Sequence, residues 1–241
     1  MNCDPSLCKA LLKELIAQCG AATVGVTTAT PITTADADAY RRWITRGRNG
    51  TMDYLSRYDD VRRNPALLLD GARSVLVAAF PYSPENPQAP GTPRIARYAL
   101  GEDYHTVLRR RLAPAVELIE QDYGGTARVC VDTAPVRERL LAVRAGVGFI
   151  GRNGMLIVPG KGSYMFLAEI VTTLALEPDT PCGDGCGDCG RCVAACPGRA
   201  LDDERGGVDA RRCLSYLTIE YRGERLPDDC RPGERLYGCD V

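Results

Sequence analysis

The chain has little histidine and few large aromatic rings: its 241 residues include one histidine, His105, one tryptophan and three phenylalanines. No stretch approaches the roughly 20 consecutive apolar residues of a membrane-spanning helix, so no membrane anchor is expected. Leu11, Leu12, Leu15 and Ile16 lie near the start, but Lys13 and Glu14 interrupt any signal-peptide core and leave the pattern of an amphipathic helix. Net charge is missing too. Thirty Lys and Arg against 31 Asp and Glu leave −1, which gives no global attraction to nucleic acid. Internal repeats and low-complexity tracts are absent. Hydrophobic content of 45% and charged content of 25% are those of an ordinary soluble globular protein, and the length allows one substantial core with an added module.

Cysteine is what the chain has in excess. Of twelve, eight lie between Cys182 and Cys239, a clustering that favours a metal site over a dispersed disulfide framework. Thiolate ligands need a reducing compartment, so a cytoplasmic location is expected. Cys3, Cys8, Cys19 and Cys130 are expected to pack as small hydrophobes. The run Cys186, Cys189, Cys192, Cys196 followed by Pro197 has the spacing with which bacterial-type proteins hold [4Fe-4S] clusters. A structural zinc site would have enough ligands, but zinc commonly uses two CxxC pairs set well apart. In iron-sulfur runs of this kind the fourth cysteine usually serves a second cluster, which makes the later Cys213, Cys230 and Cys239 relevant.

Elsewhere helices and strands alternate. The pattern predicts a helix over Pro5 to Gln18 and a strand over Ala22 to Thr27. A helix capped by Asp36 or Asp38 should run through Trp43, and another should open at Asn64-Pro65. Strands follow at Ser74 to Phe80 and Arg94 to Tyr98, separated by a proline-rich loop from Pro81 to Pro93. A long helix is expected from Asp103 to Tyr123, a strand at Ala127 to Val131 and a helix from Pro135 to about Ala145. Met155 to Val158 and Tyr164 to Thr173 read as a hairpin closed through Gly160 to Gly162. From Glu177 the composition turns to Pro, Gly, Asp and Cys, placing a boundary near 178.

Four features outside the cysteines carry possible chemistry. Gly146, Gly148 and Gly151 match the dinucleotide fingerprint by spacing, but that motif needs strand, turn and helix in order, whereas here a helix precedes and a strand follows. These glycines instead suit close backbone approach in a ligand-facing loop. Asp132, after an apolar strand, reads either as an Asx turn or cap or as an acid whose pKa a cleft raises so that it delivers a proton. His105, at an expected helix start, reads first as a structural polar contact. Arg137, Arg139, Arg144, Arg152 and Lys161 against Asp132 and Glu138 form either an anion-binding patch or a solvated mixed surface.

With these residues assembled, the chain resembles the epoxyqueuosine reductases, cobalamin and iron-sulfur enzymes that complete the queuosine modification of tRNA. The resemblance covers nearly the whole chain. It rests on Ala96-Arg97-Tyr98-Ala99, Asp103-Tyr104-His105, Val131-Asp132-Thr133-Ala134-Pro135-Val136 and Gly148-Phe149-Ile150-Gly151-Arg152-Asn153-Gly154. The cysteine run, Cys213-Leu214-Ser215-Tyr216-Leu217-Thr218-Ile219-Glu220 and Tyr237-Gly238-Cys239-Asp240 complete it.

The resemblance implies an α+β or α/β fold: a cobalamin-binding α/β sandwich like that of reductive dehalogenases over 1–178, then a ferredoxin-like iron-sulfur module over 179–241. It implies reduction of epoxyqueuosine in tRNA by cob(II)alamin fed from two [4Fe-4S] clusters. Asp132 would be the proton donor, with Tyr104, His105 and Arg139 near the reacting centre. Arg57, Tyr98, Asp132, Asn153, Ser163, Ser215 and Asp240 would help hold cobalamin. By the family pattern Cys186, Cys189 and Cys192 begin one cluster and Cys196, Cys213 and Cys239 the other, each short of a fourth ligand. The chain is therefore expected to be a fragment; the alternatives are that Cys182 and Cys230 substitute or that one cluster is lost. A monomer reduced by flavodoxin or ferredoxin is expected. A dehalogenase-like enzyme and a plain ferredoxin-type carrier are the alternatives. A twin-arginine export signal, common in the first, is not seen, and some 175 residues before the cysteines exceed what the second needs.

Overall fold

The computed structural model describes residues 4–82, 88–183, 185–201, 207–228 and 230–241. Helix α1 (Pro5–Gln18) forms as its sequence dictates. Asp4 accepts the Ser6 N–H at 2.9 Å, Pro5 opens the first turn, and Cys8, Leu12 and Ile16 make one buried stripe. Strand β1 (Thr23–Thr28) leads to α2 (Thr34–Thr45). The cap of α2 is Thr33, not Asp36 or Asp38: its hydroxyl accepts the Asp36 N–H at 3.1 Å, which puts Asp36 in the first turn. After α3 (Asp59–Arg63), the helix expected at Asn64-Pro65 is only a 3-10 turn, Pro65–Leu68, because Leu69 returns to extended backbone.

Strand β2 (Ser74–Pro81) is followed by β3 (Arg94–Ile95). Of the connection between them, residues 83–87 lie outside the described residues, as does Cys3. The strand expected to reach Tyr98 stops at Ile95 because Arg97–Ala99 turn into a 3-10 helix, the Arg97 N–H bonding the Asp240 carboxylate at 2.8 Å. Helix α4 (Tyr104–Glu117), capped by Asp103, continues as a π-helical turn through Asp122. Strand β4 (Ala127–Cys130) and helix α5 (Glu138–Arg144) follow, then β5 (Phe149–Ile150), β6 (Leu156–Ile157), β7 (Met165–Thr172), α6 (Arg191–Ala195), α7 (Leu214–Ile219) and β8 (Arg235–Tyr237).

The main sheet has the order β1-β2-β7-β4 and is antiparallel throughout. Both faces of its centre are covered, as the period-two alternation of β2 records. Leu76, Ala78 and Phe80 join α1 and α4 on one side, and Val75, Val77 and Ala79 join α5 on the other. This corrects the expected hairpin of β6 with β7. Ala168 to Thr172 are buried and need neighbours on both edges, so β7 lies between β2 and β4, while β6 pairs with β5. Helix α5 precedes the glycine loop and strand β6 follows it, the reverse of the order a dinucleotide fingerprint requires.

The cysteine-bearing tail is stitched to this sandwich. Lys9 and Lys13 hold the Asp179 carboxylate at 2.6 and 2.8 Å, Trp43 donates to the Val208 carbonyl at 2.6 Å, and β8 pairs parallel with β3. Cys8 and Cys130 are buried as expected, and Cys19 is half-buried.

Helix α5 presses its C-terminal end onto β1 where Gly25 has no side chain, and a Cβ there would collide with the Ala145 carbonyl oxygen. Gly25→Ala is expected to destabilise by about 1–3 kcal/mol, measured as a lower urea midpoint without change of slope.

Candidate active site

Strand β4 delivers the buried Val131 and then Asp132, which takes φ +53°, the left-handed region that costs a non-glycine residue roughly 1–2 kcal/mol. Glu138, the first residue of α5, secures the turn by accepting the Asp132 backbone N–H at 2.8 Å. The turn throws the Asp132 side chain outward, 59% exposed, to within 3.3 Å of His105 Nε2. The other ring nitrogen, Nδ1, lies 2.7 Å from Asp103, which also caps α4. The hydrogen bond from His105 holds the Asp103 carboxyl below its ordinary range.

Tyr104 lies between two rings, stacked on His105 at 4.0 Å and on Phe166 at 4.3 Å. Tyr98 meets it edge-on at 6.4 Å and Tyr237 at 6.2 Å. Burial, then the Asp132 charge, pushes the Tyr104 hydroxyl up, and burial with a bond to Tyr237 does the same for Tyr98. Asp132 also acts on Tyr54, in the 3-10 turn Asp53–Ser56, whose pKa is raised chiefly by burial. Tyr54, Tyr98 and Tyr104 thus lie around Asp132, near enough for its charge to act on each.

Glu138 is pushed up to about 7, by burial first and by Asp132 second. Arg139 is reached by solvent yet hemmed in by protein, and donates to the Gly154 carbonyl, which ties the glycine loop to α5. Asn153 closes an Asx turn in that loop, accepting the Met155 N–H at 3.1 Å. The expected basic patch is dispersed. Arg137 lies 4.3 Å over the Tyr40 ring, Arg144 bonds Thr28 and Thr30, and Arg152 donates to the Gly187 carbonyl.

The structure thus brings together Asp132, His105, Tyr104 and Tyr98, with Arg139 and Asn153 along the adjoining loop. Asp240 joins through Arg97, next to Tyr98. Among the described residues no hydrogen bond ties Arg57, Ser163 or Ser215 to this group, although Arg57 ends the turn carrying Tyr54 and Ser215 precedes Tyr216, whose hydroxyl takes the Thr51 N–H at 2.8 Å. Sequence reasoning missed Tyr54, Tyr237 and the structural part of Glu138. The only signal for Glu138 was its position in the first turn after Asp132.

In the cysteine segment the Cys189 N–H bonds the Cys186 carbonyl at 3.0 Å, and Cys192 lies on α6. Hydrogen bonds from Arg191, backbone first, lower the Cys189 thiol. Cys196 Sγ accepts the Ala200 N–H at 3.3 Å. Cys196 and Cys213 stand near enough to Cys239 for their charges to act on it, although burial is the main cause of its raised pKa. Among the described residues no three His, Cys, Asp or Glu side chains are placed to share a single metal ion. A [4Fe-4S] cube spreads its thiolates over separate corners, and the all-sulfur donor set with N–H donors on sulfur suits it. Cys230 packs with Cys213 around Ala210, Tyr216 and Leu217, whereas Cys182 lies by the end of α5, its N–H on the Val143 carbonyl.

A family model described as Epoxyqueuosine reductase QueG, DUF1730, matches residues 62–133, and one described as a 4Fe-4S double cluster binding domain matches residues 185–241. The epoxyqueuosine reductase of Vibrio cholerae is 41% identical over 84% of this chain and 57% of its own length, and that of Gloeobacter violaceus 42% identical over 90% and 69%. An epoxyqueuosine reductase solved with an epoxyqueuosine-modified tRNA stem loop superposes with TM-score 0.87 at 34% identity, over 98% of this chain and 64% of that one. The Bacillus subtilis enzyme, solved with an aspartate-bearing catalytic loop swung out of its active site, gives 0.86 at 33% over the same shares. A B12-dependent reductive dehalogenase shares the fold, with TM-score 0.50 at 24% identity over 79% of this chain and 23% of its own. The chain thus spans between about half and two thirds of the proteins it most resembles. Its identity to relatives along most of its length places it in one family: the chain belongs to the epoxyqueuosine reductases.

Proposed function

We propose that this protein reduces epoxyqueuosine in tRNA to queuosine, with Asp132 as the proton donor. The observation that carries the reading is Asp132 itself, held in a left-handed turn by Glu138 and presented to His105, on which Tyr104 is stacked. Family membership and the solved relative bearing a modified stem loop support it.

His105 bridges two carboxyl groups, Nδ1 at 2.7 Å from Asp103 and Nε2 at 3.3 Å from Asp132, a geometry in which the ring orients the Asp132 carboxyl. Tyr104 stacked on His105 fixes the ring plane.

The site's donor set fits cobalamin. Tyrosine hydroxyls, the Asn153 amide and the guanidinium groups of Arg57 and Arg139 suit a large ring with amide arms and a phosphate, and Ser163, Ser215 and Asp240 would add polar contacts at its rim. Cobalamin, when bound, supplies the two-electron reduction at the epoxide carbon. Cys186, Cys189 and Cys192, and separately Cys196, Cys213 and Cys239, would hold clusters. On this reading residues 1–178 bind cobalamin and substrate and 179–241 carry electrons. The protein works as a cytoplasmic monomer reduced by flavodoxin or ferredoxin.

Loaded anaerobically with clusters and cobalamin and given a reductant, the protein is expected to convert epoxyqueuosine in tRNA to queuosine, read by nucleoside mass spectrometry. No queuosine would overturn the reading. Asp132→Asn should keep cobalamin binding and lose about 10²–10⁴-fold in kcat. Full activity would remove Asp132 from the role. Before cluster loading, limited alkylation near pH 7 should label Cys189 well ahead of Cys130, whose thiol burial pushes up to about 12. Peptide mass spectrometry reads the order.

A further inference from the structure

The glycine loop, residues 146–154, reads from the sequence as a loop that faces a ligand. Asn153 has a part in the function proposed above, but Arg152 beside it has none. In the fold, the loop faces the stretch that leads into Cys186, Cys189 and Cys192.

Four contacts join the two stretches. At the end of α5 the Val143 carbonyl takes the Cys182 N–H at 3.1 Å. Gly146, at φ +72°, sets its bare Cα against the Thr180 carbonyl oxygen, where a Cβ would collide. Gly185 abuts the Phe149 ring just as closely. Arg152 then donates from Nη2 to the Gly187 carbonyl at 3.3 Å, inside the turn that the Cys189 N–H closes on the Cys186 carbonyl at 3.0 Å.

What Arg152 meets there is a neutral carbonyl. Among the described residues no carboxylate pairs with it, so the guanidinium keeps its full charge beside the turn. A [4Fe-4S] cluster gains one unit of negative charge when it is reduced. Cations and N–H donors near its sulfurs therefore favour the reduced form and raise its potential.

We propose that Arg152 is a positioning residue: the glycine loop holds its charge against the Cys186–Cys189 turn, where it raises the reduction potential of the cluster held by Cys186, Cys189 and Cys192. The inference rests on the reading of those cysteines as cluster ligands. The surroundings of the sulfurs agree with it. Arg191 bonds Cys189 through backbone and side chain, and the Arg152 charge acts on the same thiol in the same direction. Arg235, whose Nε donates to the Cys239 carbonyl at 3.1 Å, stands instead by the other cysteine set. Arg152 thus brings its charge to the cysteine segment from the part of the chain that carries Asp132. The loop that holds it ends at the Gly154 carbonyl, to which Arg139 donates.

A redox titration of the cluster-loaded protein, followed by electron paramagnetic resonance, tests the assignment. Arg152→Gln should make one [4Fe-4S] couple about tenfold harder to reduce, a shift of about 59 mV to more negative potential, and leave any other couple in place. Arg152→Lys keeps the charge and should stay close to the wild-type potential. Unmoved couples in Arg152→Gln, or a lysine variant displaced as far as the glutamine one, would overturn the role of Arg152. Equal displacement of two couples would mark a general loosening of the segment and overturn it as well. A loaded wild type without any [4Fe-4S] signal would instead overturn the cluster reading itself, and the role of Arg152 with it.

Discussion

The hydrogen bond from the Asp132 backbone N–H to Glu138 joins the two elements on which the site is built, the end of β4 and the start of α5. Without it the cost of a left-handed aspartate would not be offset at this turn, and the side chain would lose its fixed approach to His105. The bond in turn depends on the sheet beneath. Helix α5 is held over β7 and β1 by Leu141, Ala142 and Ala145, all buried, and by the bare backbone of Gly25. A partly buried acid at the first turn of a helix is tolerable because the exposed N–H groups there favour negative charge.

The cysteine segment is bound to this arrangement by long-range contacts rather than by its own core. Its small cluster of Ala210, Tyr216 and Leu217 packs with Met52, and Tyr216 bonds Thr51. Asp179 locks onto Lys9, Lys13 and the Val26 backbone. Pairing of β8 with β3 brings Tyr237 beside Tyr98 and Asp240 beside Arg97, so the segment holding Cys239 also packs against the tyrosine cluster.

Features legible in the sequence were those encoded locally. Helix α1 announces itself by a cap, a proline and a four-residue apolar spacing, and the cysteine run by its spacing. Features that escaped depend on partners distant in the chain. The glycines after Val158 mark a turn, yet which strand β7 pairs with is settled by burial on both its edges, and that lies with β2 and β4. Thr33 outcompeted Asp36 and Asp38 as a cap because its hydroxyl reaches an N–H three residues on, a choice that composition does not reveal. Asp132 was singled out by its place after an apolar strand and His105 by its place at a helix start, whereas their roles and that of Tyr104 came from the family resemblance; the contacts among the three depend on the fold.

The most direct test of the account is a structure of the cluster- and cobalamin-loaded protein with an epoxyqueuosine-bearing anticodon stem loop. It should place an Asp132 carboxyl oxygen about 3 Å from the epoxide oxygen, with the Asp132 N–H still on Glu138. An epoxide oxygen held by Arg139 or by water alone, with Asp132 turned away in the closed complex, would contradict it.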